Sequence, residues 1–559
     1  MGSILNLFDK TKGMAKKIIF VDIIIILSFA LFAGMYHANR VAGNRASLLY
    51  STDVASVASF AAAADHPDLF VEDEVLDNQD NFKFYATIHL PLVRFFYKFT
   101  KDYALASTSL LSLHIFMQMF GFYLLGFILF RNRFWAILLT MLTSVNVPLA
   151  VSEFWGVFPD ILSRMSFHAV FPYLLLAIFR WRSKPFAWGW LMLVAGICMH
   201  LHPPSALCWG FSLWLGLWAC HPKDWRMSVR IRKMLFLGLA FLLGALVFSL
   251  NYLANRAGST VLDYAVWLEI MHHRFPTESL DVMVALRKFI TNMTFYRIAI
   301  FGIIGGIFVW CWQEKVRKRI VIILMWIIGI LLTSLFIPFI EQTISRIYQI
   351  PPLEIEMVRN LKYIFPLMLI FCLWPFVAMV ESSSNKRRKI AIYIIGFFLV
   401  FGWSSRQAYK HIMFLKENGY FMAQQDKEKS ETLDMLEAVK RLTPVGARML
   451  PLYSTHSLAL RYYALRPIVY VFKDGATFAY VDHQKLQEWY GKAKQANDVF
   501  EIFFSDNDDD YKMDRARDFA REVNAEYAVI DRNYFSKDFA FKGYVDLLYL
   551  NNRYVVIKI

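Results

Sequence analysis

Charge is scarce in this chain. Asp, Glu, Lys and Arg make up 19% of its 559 residues, against about 25% in soluble globular proteins. Hydrophobic residues reach 57%. One water-facing core cannot absorb that much, because cores stop growing beyond roughly 250–300 residues. This composition excludes intrinsic disorder and argues against a soluble multidomain enzyme. A mean hydropathy of +0.39, with 51 Phe and 16 Trp, fits helices bathed in lipid. The expected class is a polytopic α-helical membrane protein.

Cysteine is scarce too. The five residues Cys198, Cys208, Cys220, Cys311 and Cys372 all lie in apolar runs, where a thiol behaves as a small apolar group. No CxxC or Cys/His spacing marks a zinc site. The last third has no cysteine, which is compatible with an oxidising compartment. No glycine-rich phosphate loop follows a strand-like run. The stretch DNDDDYKMDRAR (506–517) begins like a calcium loop, but Tyr511 stands where the turn needs glycine and Arg517 where the chelating glutamate belongs. A solvated acidic turn is expected there.

The net charge of +15 has a location. Residues 1–404 hold 37 Lys/Arg against 23 Asp/Glu, whereas 405–559 are balanced at 23 and 22. The excess sits in short loops between apolar runs, where Lys and Arg mark the cytoplasmic side. Nucleic acid is not required to explain it.

Apolar runs of the ~20 residues that cross a bilayer are expected near 18–37, 103–130, 134–150, 166–180, 186–201, 204–220, 234–254, 297–313, 320–340, 361–380 and 389–404. Basic segments precede the first run and follow the second, fourth, sixth, eighth and tenth, ending with Lys386–Lys389 (KRRK). Every second loop is therefore basic. This predicts eleven spans, a cytoplasmic N-terminus and an outer C-terminal domain. The first run is expected to stay as a span, since it is long and no small-residue cleavage site follows.

The opposite loops carry the acids. In the first of them, DVASVASFAAAA (53–64) and FKFYATIHLPLVRFFYKF (82–99) predict helices lying on the membrane surface. In the tail, helical stretches at 431–442, 486–495 and 515–523 alternate with strand-like runs at 448–453, 467–472, 527–531 and 554–558, predicting a small α/β domain. The division expected is 1–404 for the membrane part and 405–559 for the soluble domain.

Ionisable groups at the ends of spans are the candidate site. They are Asp53, then Glu153, Asp160, Arg164 and His168 in SEFWGVFPDILSRMSFH, His200 and His202 in MHLHPP, and Arg359 with Lys362 in EIEMVRNLKY. A carboxylate takes a proton from an acceptor hydroxyl, Arg and Lys neutralise a departing phosphate, and His donates to either. Each also has a plain structural reading. Asp53 is placed to cap a helix, Glu153 and Asp160 to pair with Arg164, the histidines to mark a turn, and Arg359 to meet ordinary headgroups. The acids of DHPD and EDE (65–74) read as solvated.

The chain resembles bacterial polytopic glycosyltransferases of the GT-C type. The resemblance lies in the span plan and in the phrases DVASVASF with HPDLFVED, HLHPPSA, VRNLKYIFP, RYYALRPIVYVFKDG, LQEWY and YLNNRYVVIKI. It implies an enzyme of the inner membrane that moves a hexose or pentose from a polyprenyl-phosphate donor at the periplasmic face. The acceptor would be a glycan, a lipid or a protein. Asp53 matches the first-loop acid that serves as base and Asp160 is a second catalytic candidate, with Glu153, Arg164, His168, His200, His202, Arg359 and Lys362 around the substrate. A divalent ion, magnesium or manganese, is compatible with the resemblance, and no metal ligands are assigned. Two other readings fit the sequence: a transporter or flippase for a lipid-linked saccharide, and a non-catalytic scaffold of envelope assembly.

Overall fold

A computed structural model describes residues 20–31, 33, 48–49, 52–85, 88–149, 153–157, 163–257, 262–352, 357–417, 427–453, 455–536, 538–539, 541 and 546–559. A helix occupies each of the eleven apolar runs. Among the described residues, five helical segments are long and apolar enough to cross a membrane: Tyr103–Phe130, Met227–Ala254, Met293–Trp312, Glu314–Tyr348 and Met357–Ser382. Phe20–Leu31, Arg133–Ser144 and Pro185–His200 are apolar but shorter.

Local chemistry fixes the helix ends. The Asn132 side chain accepts from the amides of Phe134 and Trp135, and Asn292 accepts from Phe295. Each thereby satisfies donors that a first helical turn leaves unpaired. Leu239, Leu242, Leu243, Leu246 and Val247 on one helix, and Phe301, Ile303, Ile304 and Ile307 on another, face outward. Such continuous apolar faces require an apolar surrounding rather than water. The chain is a membrane-embedded helical protein with a small sheet region near its C-terminus.

The helix Thr52–Asp65 departs from expectation. It was expected on the membrane surface, yet Val54 through Ala63 are all buried. Its Ala and Ser side chains are small on every side, so neighbours close in all round. It packs against His89–Thr100, Tyr103–Ser109 and the short tail helix Ala459–Tyr462. The helix His89–Thr100 does keep an exposed apolar edge, at Phe95 and Phe99.

The strands are few. β1 (Val147–Pro148) pairs antiparallel with β2 (Phe154–Trp155), so the third apolar run ends its helix at Ser144 and turns into a hairpin. The tail holds β3 (Met449–Leu452), β4 (Tyr527–Asp531), β5 (Leu547–Leu550) and β6 (Tyr554–Lys558), in the order β3-β4-β6-β5. β3 and β4 are parallel, and the other pairs are antiparallel. The crossover from β3 to β4 carries the helices His483–Phe504 and Asp509–Glu522, as parallel pairing demands. The run 467–472 was expected as a strand and is not one. Among the described residues it makes one bridge, Ile468 to Met449, and on its other side the Ile468 amide donates to the Asp73 carboxylate at 2.8 Å. The expected boundary at 404/405 falls inside the helix Lys386–Glu417.

Candidate functional site

The hairpin β1–β2 sets the first group in place. The Leu149 amide donates to the Glu153 carbonyl at 2.7 Å, and Gly156 follows at φ 115°. A Cβ there would sit 2.2 Å from the Val145 carbonyl oxygen, so only glycine closes this turn. Glu153 is thereby driven into the protein at 2% exposure.

A buried carboxylate must be paired, and Glu153 is paired three ways. Arg164, at the start of the helix Ser163–Trp181, donates Nη1 to Oε1 at 2.9 Å. Lys362, from the 3-10 turn Met357–Tyr363, donates Nζ to Oε2 at 2.6 Å. Arg359 Nε stands 3.9 Å from Oε1. Burial alone would raise the Glu153 pKa. Arg164, Lys362 and Arg359 outweigh it and hold the carboxyl below its usual range.

Arg164 reaches a second acid as well. Its Nη2 lies 3.8 Å from Asp53 Oδ2, at the first turn of the helix Thr52–Asp65. The other oxygen of Asp53 accepts from Lys473 of the tail. Asp53 is more open than Glu153, with its side chain 41% exposed. Lys473 first, then Arg164 and Arg359, hold it far below the ordinary carboxylate range against the opposing effect of burial. His202 stands near these charges and caps the helix Pro203–Trp218, its Nδ1 2.8 Å from Ser205 Oγ. Burial, then the cations Lys362, Arg164 and Arg359, keep its imidazole neutral, well below the usual value.

His168 is fully buried, its ring 4.9 Å from that of Trp155 and 5.3 Å from that of Tyr363. Neither ring nitrogen has a hydrogen-bond partner among the described residues. His200 packs its ring on Phe248 at 6.2 Å, and its carbonyl accepts from the Ile88 amide. Asp160 lies outside the described residues. Asp53, Glu153, Arg164, Arg359 and Lys362 thus come together from four separate segments, with His202 beside them.

Two groups were missed by sequence reasoning. Lys473 lies in the phrase RYYALRPIVYVFKDG, where nothing in the spacing distinguishes it from other tail lysines. Asp73 was read as solvated and is instead fully buried. It receives Arg461 Nε and Nη2 at 2.7 and 2.8 Å, while Asp474 receives Nη1 and Nη2 of the same guanidinium at 2.7 and 2.8 Å. This anchor ties the first long loop to the residue next to Lys473. Glu74 and Asp77 add contacts to Lys492 and Lys485.

Among the described residues the cluster sets four cations, Arg164, Arg359, Lys362 and Lys473, against two carboxylates. The surplus of positive charge suits a phosphate or another anion. Among the described residues no three His, Cys, Asp or Glu side chains gather in a group that could hold a metal ion. No protein-family model matches the chain, and no curated protein matches its sequence.

Proposed function

We propose that the chain is an integral membrane glycosyltransferase of the GT-C type, with eleven spans, a cytoplasmic N-terminus and its C-terminal domain on the outer side. Its donor is a sugar on polyprenyl phosphate, and the acceptor carries a hydroxyl. The observation that carries this reading is the meeting of Asp53 with Arg164, Glu153, Arg359 and Lys362. All of these come from segments that the charge pattern assigns to the outer ends of the spans.

On this reading each residue has a role. The acceptor oxygen forms a bond to the anomeric carbon as the bond from that carbon to the phosphate oxygen breaks, and the electron pair leaves with the phosphate. Asp53 receives the acceptor's proton, since it is the more exposed carboxylate and is ionised at neutral pH. Arg359 and Arg164 neutralise the leaving phosphate. Glu153 orients Arg164 and Lys362, and its burial makes it a poor candidate for direct proton transfer.

The test is transfer from labelled polyprenyl-phosphate sugars by the purified protein in lipid nanodiscs. Transfer that falls by about a hundredfold or more in Asp53→Asn supports the reading, since general-base loss costs ~10²–10⁴-fold. No transfer from any donor overturns it, and full activity in Asp53→Asn removes Asp53 as the base.

A further inference from the structure

Among the described residues, Lys473 brings the tail domain to the site. Lys473 is 16% exposed and salt-bridged to Asp53, 420 residues away in sequence. Its backbone is fixed by its neighbour Asp474, which is buried on Arg461 together with Asp73. The Val471 carbonyl is fixed too, accepting from Trp489 Nε1 at 3.1 Å. A lysine held on both sides by buried contacts is delivered to a set position, at the one carboxylate of the cluster open to solvent.

We propose, resting on the reading above, that Lys473 is a phosphate ligand contributed by the tail domain, shared between Asp53 and the donor's phosphate. A lysine ammonium has three donors, so it can leave part of its pairing with Asp53 for a phosphate oxygen. Transferring that contact lessens the pull on Asp53 as the donor binds and makes the carboxylate a better proton acceptor at that moment. The tail is then part of the site, and the membrane half alone would bind the donor weakly.

The experiment measures binding of polyprenyl phosphate, which carries no sugar, to the full-length protein in phosphatidylcholine nanodiscs. Phosphatidylglycerol and inorganic pyrophosphate serve as competing anions. Lys473→Met should weaken binding about tenfold or more, the value of a charged hydrogen bond. Lys473→Arg should retain most of it. Lys473→Cys should be weak and should recover on aminoethylation, which restores an amine; a merely structural defect would not recover. Asp53→Asn, lacking the competing anion, should bind at least as tightly as wild type. Lys485→Met, which breaks the contacts with Asp77 and with the Glu74 carbonyl, should bind normally. Equal competition by pyrophosphate would support the same ligand role with a soluble phosphate as its source. Wild-type affinity in Lys473→Met, or weaker binding in Asp53→Asn, overturns the proposal and leaves the glycosyltransferase reading standing. Tight binding that depends on Lys473 without sugar transfer overturns that reading and leaves this one.

Discussion

Glu153 and Lys362 lie 209 residues apart in sequence and 2.6 Å apart in space, 2% and 1% exposed. Removing one partner of a buried pair leaves an uncompensated charge, which costs up to ~3–5 kcal/mol. Arg164 still covers Glu153, so Lys362→Met is expected to lose roughly 1–3 kcal/mol. Adding Glu153→Gln should recover part of that loss. Thermal melting of the two single variants and the double variant measures it, and strictly additive losses would show that the pair is not coupled.

The Arg461 fork predicts a second effect. Its guanidinium makes four hydrogen bonds to two buried acids, a geometry that lysine cannot reproduce. Both Arg461→Lys and Arg461→Met are expected to unfold the tail early. Limited proteolysis of the full-length protein should then cut within 427–559 while sparing the membrane helices.

His202 gives a pH dependence. Its folded pKa lies below the ordinary 6.5, so the unfolded chain binds the extra proton more readily. Its stabilising contribution is complete above about 6.5 and is lost as the pH falls below that value. Melting temperature should therefore drop between pH 7 and 5, and more steeply in wild type than in His202→Gln. Parallel slopes would remove His202 from the explanation.

Two glycines on the helix Met227–Ala257 should behave oppositely. A Cβ on Gly244 would sit 2.2 Å from the Leu193 carbonyl oxygen, whereas Gly238 has nothing within 4 Å. Gly244→Ala should cost about 1–3 kcal/mol by forcing apart the helices Pro185–Ile197 and Met227–Ala257. Gly238→Ala should be neutral or gain up to about 1 kcal/mol of helix propensity. Melting of the two variants compares them directly.

Much of this was readable from the residues. Hydropathy and the basic loops located a helix in each apolar run, because both signals are carried by contiguous sequence. The strands at 449–452, 527–531 and 554–558 were legible for the same reason. What escaped depends on long-range meetings. Asp73 looks like any loop acid until Arg461 arrives from 388 residues away. Lys473 has no local signature at all. The helix Thr52–Asp65 misled because small residues show no strong polar face, whether a helix lies on a surface or is enclosed. Reporter fusions after Trp225 and Ala423 would test the orientation read from the loops. The first should report the cytoplasm and the second the outer side.

A cryo-electron microscopy map of the full-length protein in nanodiscs with polyprenyl phosphate would show directly where the lipid phosphate binds. Phosphate density is expected among Arg164, Arg359, Lys362 and Lys473, beside Asp53. Lipid phosphate bound elsewhere, with none of these four side chains in contact with it, would contradict this.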